Sequence, residues 1–187
     1  MNYLILVNKN NGLEKDYIPD NLVRVKLKTG GDKKIYLEKK CYAQIKKLLK
    51  DINKKFDTLI VVDSGYRPYL YQENLLKDLI NEKGDDAYKS LAMPGYSEHQ
   101  TGLAVDIGFY KNGVYDNNFK AEDYLEEFKW INDNAHKYGF IIRYPLGKEN
   151  ITGYIYEPWH LRYIGDVASF LKKHDLTLEE YYKMFVL

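Results

Sequence analysis

"SEHQTGLAVDIGFY", residues 97–110, is the stretch on which the fold turns. From Leu103 its odd positions are large and apolar: Leu103, Val105, Ile107 and Phe109. Its even positions, Ala104, Asp106 and Gly108, are small or charged. Successive side chains of a strand point to opposite faces, so this alternation predicts a strand over 103–109 with one face in a core. Asp106 then stands on the other face, between minimal neighbours that leave room beside it. A buried, unpaired carboxylate is costly, so something positive has to sit against it. His99 precedes the strand, and Gly102 between them can relax the backbone so that the imidazole bends back towards Asp106. A histidine and a carboxylate on one sheet face are residue types that bind zinc.

Working outward, "TLIVVDSGYR" (58–67) predicts a buried strand, Leu59–Val62, running into a turn at Ser64 and Gly65. Before it, Leu37, Cys41, Ile45, Leu48, Leu49 and Ile52 recur at helical spacing. They predict a helix over 37–56 whose lysines form a solvated face. After it, Pro68 suits the first turn of a second helix, with Leu75, Leu76, Leu79 and Ile80 inward and Gly84 as its stop. Residues 84–95 read as a loop. Tyr124, Leu125, Phe128, Ile131 and Ala135 predict a helix over 121–138 with Gly139 at its C-cap. "FIIRYP" (140–145) and "TGYIYEPWHLRYI" (152–164) read as strands, and Thr177 with Glu180 has capping-box spacing for a last short helix. Helices early and late around strands joined mostly without crossover helices predict the α+β class, a small central antiparallel sheet flanked by helices.

The chain has 187 residues and neither a repeat nor a low-complexity linker, which predicts one domain over 1–187. Charged residues make up 29% and the net charge is +1, so no basic excess points to nucleic acid as a partner. A single cysteine, Cys41, excludes an intrachain disulfide and a cysteine-rich zinc site, and its helical position makes it a small core side chain. The apolar run Tyr3–Val7 is too short for a signal-peptide core and follows no basic segment. No stretch approaches the ~20 apolar residues of a membrane span. With Met1 as the native start the protein is expected in the cytoplasm; otherwise a signal or anchor has been trimmed.

Catalytic zinc needs a third protein ligand and an open position. His136, late in a lysine-containing helix, and His174, after two lysines at a helix end, suit solvated or dipole-facing roles. His160 differs. It lies in "YEPWHLRY", three residues after Glu157 and beside Trp159. Pro158 lacks an N–H, so the strand is at an edge or distorted there. A distortion would let Glu157 and His160 face one cavity despite their odd spacing. A regular strand would turn Trp159 away, into the core.

These residues carry a family resemblance. "SEHQTGLAVD", with Ser97, His99, Gly102 and Asp106, resembles the signature of the VanX/VanY-type zinc D-alanyl-D-alanine dipeptidases and carboxypeptidases. "EPWH" is similar to that family's second motif and "SGYRPYLYQ" to its upstream arginine motif. The likeness runs from "LVNKN" to "ITGYIYEPWHLRYIG" and is nearest to the VanXY-type enzymes of vancomycin resistance, which combine both activities. It implies a hedgehog-like peptidase fold, with one zinc ion held by His99, Asp106 and His160. It implies Glu157 as general base and Arg67 as the cation facing the oxyanion. Ser97 and Gln72 would contact the substrate, and Tyr66 and Tyr96 would line its pocket. The substrate implied is D-Ala-D-Ala or a peptidoglycan precursor ending in it. L,D-carboxypeptidases and endopeptidases share these motifs, and some members of the superfamily bind zinc without being peptidases.

Overall fold

The computed structural model describes residues 2–186. Met1, on which the cytoplasmic expectation depends, lies outside them. The expected class holds: a five-stranded antiparallel sheet packed with helices, plus a two-stranded ribbon of β1 (Leu22–Arg24) and β2 (Tyr36–Glu38). The sheet runs in the order β3 (Leu59–Ser64), β4 (Ala104–Lys111), β7 (Glu157–Tyr163), β6 (Phe140–Tyr144). A short β5 (Val114–Asp116) returns along β4.

Helix α1 covers Lys39–Ile52. It starts two residues later than the hydrophobic spacing suggests, because Glu38 is its N-cap: its carboxylate accepts from the backbone of Lys40 and Cys41. Leu37 is therefore on β2. Cys41, Ile45, Leu48, Leu49 and Ile52 pack with Leu103, Val105, Ile107 and Phe109 in the main core, as the two periodicities require. Each such side chain contributes ~1.5–3 kcal/mol when fully buried. Beyond α1 the Asn53 amide pairs with both backbone groups of Ile60, at 2.8 Å each, which occupies part of the free edge of β3.

Helix α2 (Tyr69–Lys83) begins after Pro68 and stops at Gly84, whose φ is +59°. Of its four expected inward residues only Leu76 is buried; Leu75, Leu79 and Ile80 are half-buried, and Gln72 takes the other buried position. Residues 84–95 are not all loop, since a turn and the short helix α3 (Ala87–Ser90) occupy the first half. The amphipathic segment 121–138 is α4 (Leu125–Asn134) with a tighter turn at each end, closed by Gly139 at φ +82°. The short α5 (Glu149–Thr152) precedes β7, so only the second half of "TGYIYEPWHLRYI" is strand. Helix α6 (Val167–His174) leads to α7 (Leu178–Phe185), which carries the expected capping box of Thr177 and Glu180.

Strand β4 organises the functional face. One edge pairs with β3. The other is shared: Ala104–Asp106 face Arg162–His160 of β7, and Phe109–Lys111 face Asp116–Val114 of β5. The sheet splits between these two pairings, next to Asp106. Pro158 lies in the split. Strand β7 is interior, so the distorted alternative is the one realised. Between the pairs Ile142–Leu161 and Tyr144–Glu157 three residues of β7, Pro158 to His160, oppose the single Arg143 of β6.

Candidate metal centre

The ladder places Asp106 directly opposite His160, and directly opposed residues share a sheet face. His99 reaches the same face from a tight turn, Glu98–Thr101, that Gly102 closes at φ +68°. The three side chains offer ligand atoms all within 4.8 Å of one another. His99 Nε2 lies 3.2 Å from Asp106 Oδ2, and His160 Nδ1 lies 2.9 Å from Asp106 Oδ1. His99 Nε2 and Asp106 Oδ1 are buried and have no aligned hydrogen-bond partner. Atoms that converge without satisfying one another are what a metal ion resolves, and two imidazoles with one carboxylate form a zinc donor set. The fit is therefore good. The ring orientations are opposite: His99 presents Nε2 because its Nδ1 sits 2.7 Å from the Gly65 carbonyl, whereas His160 presents Nδ1.

Glu157, displaced by the bulge, brings Oε2 to 4.0 Å from His160 Nδ1. Its side chain is 11% exposed. Burial pushes its carboxyl up to about 7; His160 and Arg67 oppose the shift and Asp106 adds to it. Arg67 follows β3, with its backbone N–H donating to the His99 carbonyl at 3.1 Å and its guanidinium 3.9 Å from Asp106. Its Nε is buried without a hydrogen-bond partner. Without a metal, burial and Arg67 hold the His99 imidazole down at about 4. Burial works the same way on His160, but Asp106, Glu98 and Glu157 outweigh it and raise it to about 9. Burial alone would raise Asp106; the two histidines hold it well below the usual carboxylate range.

The four expected substrate contacts are dispersed. Tyr66 lines a cleft of about 600 Å3 with Lys33, Lys34, Tyr36, Arg67 and Tyr71, and Asp106 forms part of its wall. Tyr96 is 37% exposed and lines a separate hollow with Tyr88, Met93 and Tyr154. Ser97 is buried directly before the His99 turn. The Gln72 amide nitrogen already donates to the Ala92 carbonyl at 2.7 Å, and its oxygen is buried without a partner. The room expected beside Asp106 is smaller than the sequence suggests. A Cβ on Gly108 would sit 3.1 Å from the Tyr115 ring, so Tyr115 fills that space, and Ala104 is fully buried opposite Arg162. Trp159 packs against Phe119 and the main core, the outcome expected of a regular strand although β7 is bulged here. Cys41 is fully buried, His136 contacts Ser169, and His174 is exposed.

Sequence reasoning missed Glu98. It is 1% exposed, and its Oε2 faces His160 Nε2 at 3.6 Å. Its Oε1 accepts from Arg143 Nε at 2.8 Å and from Arg162 Nη1 at 2.5 Å. The available signal was a pair of arginines on adjacent strands, Arg162 falling two residues after His160 and so on the same face as the metal ligands.

Comparisons with known proteins place the chain among carboxypeptidases. The family model described as "VanY: D-alanyl-D-alanine carboxypeptidase" matches residues 34–166. The bifunctional D-Ala-D-Ala dipeptidase and D-Ala-D-Ala carboxypeptidase VanXYC of Enterococcus gallinarum is 36% identical over 187 residues, covering 97% of this chain and 94% of its own length. The solved structure of the LdcB LD-carboxypeptidase superposes with a TM-score of 0.86 at 42% identity, covering 97% of this chain and 86% of that one. The vancomycin resistance D,D-pentapeptidase VanY, from a VanB-type resistance cassette and solved in complex with Zn(II), gives 0.80 at 30% identity over 97% and 99%.

Proposed function

Because this chain belongs to the VanY D-alanyl-D-alanine carboxypeptidase family, we propose that it is a zinc metallopeptidase that hydrolyses the bond before a C-terminal D-alanine. Its substrates would be D-Ala-D-Ala or peptidoglycan precursor stems that end in it, a reaction that removes the terminus vancomycin binds. The observation that carries the reading is the buried Glu157 carboxylate beside a converging His99–Asp106–His160 cluster, with Arg67 against the same cluster. A non-catalytic zinc-binding module needs neither that base nor that cation.

His99, Asp106 and His160 would hold the zinc ion. When bound, it supplies a Lewis acid and lowers the pKa of a bound water from 15.7 towards ~7. Glu157 takes a proton from the attacking water and passes it to the leaving amine, a role suited by a carboxyl already raised towards neutrality. Arg67 is rigid at its base, through its bond to the His99 carbonyl, and offers its guanidinium to the developing oxyanion. The cleft that opens from Arg67 and Asp106 lies in the range of ~300–1,000 Å3 that accommodates drug-sized ligands. It has room for stem residues upstream of the scissile bond as well as for a dipeptide.

The likeness to LdcB supports a second reading within the same chemistry, an L,D-carboxypeptidase acting on tetrapeptide stems. Amino-acid release from D-Ala-D-Ala, a pentapeptide stem and a tetrapeptide stem separates the two. The D,D reading predicts release from the first two. Release from the tetrapeptide alone would replace it with the second.

A further inference from the structure

The Glu98 cluster has a composition that packing alone does not require. Four ionised side chains, Glu98, Arg143, Arg162 and Glu179, meet in the interior, two of each sign. The side chains of Glu98, Arg143 and Arg162 are 0% exposed and that of Glu179 is 13% exposed. Arg143 donates to Glu98 at 2.8 Å and to both Glu179 oxygens at 2.6 and 2.8 Å. Arg162 donates to Glu98 and also to the carbonyls of Tyr3 and Ile5, at 3.1 and 2.6 Å. These bonds engage only one oxygen of Glu98. The other, Oε2, is buried without an aligned partner, and so is His160 Nε2, 3.6 Å away.

We propose that Glu98 is a positioning residue for the metal centre: it holds the His160 ring with Nε2 towards itself and Nδ1 towards Asp106, while Arg143 and Arg162 hold Glu98. The Gly65 carbonyl does the corresponding work for His99 through the opposite nitrogen. A ligating histidine whose far N–H meets a carboxylate is fixed in tautomer and orientation. Here the carboxylate is itself fixed by two guanidiniums, Arg143 Nε at 2.8 Å and Arg162 Nη1 at 2.5 Å on its other oxygen. Through Glu179 the C-terminal helix α7 becomes part of the support for His160, and through Arg162 so does the segment around Tyr3 and Ile5.

The inference rests on the zinc reading, and two measurements keep their failures apart. The first is zinc affinity of the metal-free protein, titrated against a chromophoric chelator. Glu98→Gln is expected to bind zinc 10–100-fold more weakly than wild type. Glu179→Gln, which disturbs Arg143 without touching His160, is expected to lose less. Wild-type affinity in Glu98→Gln, or equal losses in both variants at equal loss of thermal stability, would overturn the proposal. The second needs no variant and stands if Glu98→Gln does not fold: ¹⁵N-histidine NMR of the zinc-loaded wild type. The expected result is a proton on Nε2 of His160, protected from solvent exchange, and a proton on Nδ1 of His99. A proton on Nδ1 of His160 would overturn the proposal. A wild type that binds no zinc would overturn the zinc reading itself.

Discussion

Replacing Glu157 by Gln should slow the enzyme and stabilise the metal-free protein at once. The substitution keeps the shape of a side chain that is 11% exposed and removes its charge. A general base contributes typically 10²–10⁴ in rate, which is ~2.7–5.5 kcal/mol of transition-state stabilisation. The same burial that suits the carboxylate to this task makes it a liability for folding. Its folded-state carboxyl is raised to about 7 from the ordinary value of 4.5. Between those two values the folded state binds more protons than the unfolded one, so stability falls as pH rises through that window and levels off above it. The shift corresponds to a penalty on the order of 3 kcal/mol at pH 8. Gln never ionises and escapes it. The assay is urea unfolding of metal-free wild type and variant at pH 5 and pH 8, run beside turnover of the zinc-loaded forms. The expected result is a small stability difference at pH 5, a variant more stable by a few kcal/mol at pH 8, and a turnover deficit of at least 100-fold. Wild-type-like turnover, or a variant less stable than wild type at pH 8, would refute the reasoning.

Further outcomes follow from the same geometry. Arg67→Met should lower kcat by ~10²–10³ with zinc content unchanged, the usual loss for one oxyanion donor, and steady-state kinetics with metal analysis checks it. The acid limb of kcat/KM should have an apparent pKa at or below about 7, because a bound cation can only lower the Glu157 value found without metal; a limb well above neutrality would contradict Glu157 as the titrating base. Zinc binding near pH 7.5 should release about one proton, since His160, raised to about 9, must deprotonate to ligate. Calorimetry in buffers of different ionisation enthalpy measures that number. Gly65→Ala should weaken both folding and zinc binding. A Cβ there would lie 2.6 Å from the Tyr36 carbonyl, and the strain would displace the carbonyl that orients His99.

The parts of this arrangement legible in the sequence were those set by short-range periodicity. Alternation alone put Leu103, Val105, Ile107 and Phe109 in the core and Asp106 on the other face, and helical spacing found the buried side of α1. Pro158 announced a distortion because a missing N–H has few places in a sheet, and the interior position of β7 selected between the alternatives. Properties that depend on distant chain segments were not legible. Nothing near Gly108 reveals that Tyr115, returning on β5, fills the space beside it. Nothing adjacent to Glu98 marks it as buried, because its partners Arg143 and Arg162 arrive from β6 and β7. Tyr66 and Tyr96 both flank motif residues, yet the fold sends them to different hollows.

The central claim is that His99, Asp106 and His160 hold the zinc ion on which hydrolysis depends, with Glu157 beside it but not on it. The most direct test is atomic spectroscopy of zinc per chain in wild type, Glu157→Gln and His160→Ala, paired with D-alanine release before chelation, after it and after zinc is returned. One zinc is expected in wild type and in Glu157→Gln, little in His160→Ala, and wild-type release that disappears with chelator and returns with zinc. Full zinc content in His160→Ala, or release that survives complete removal of metal, would contradict it.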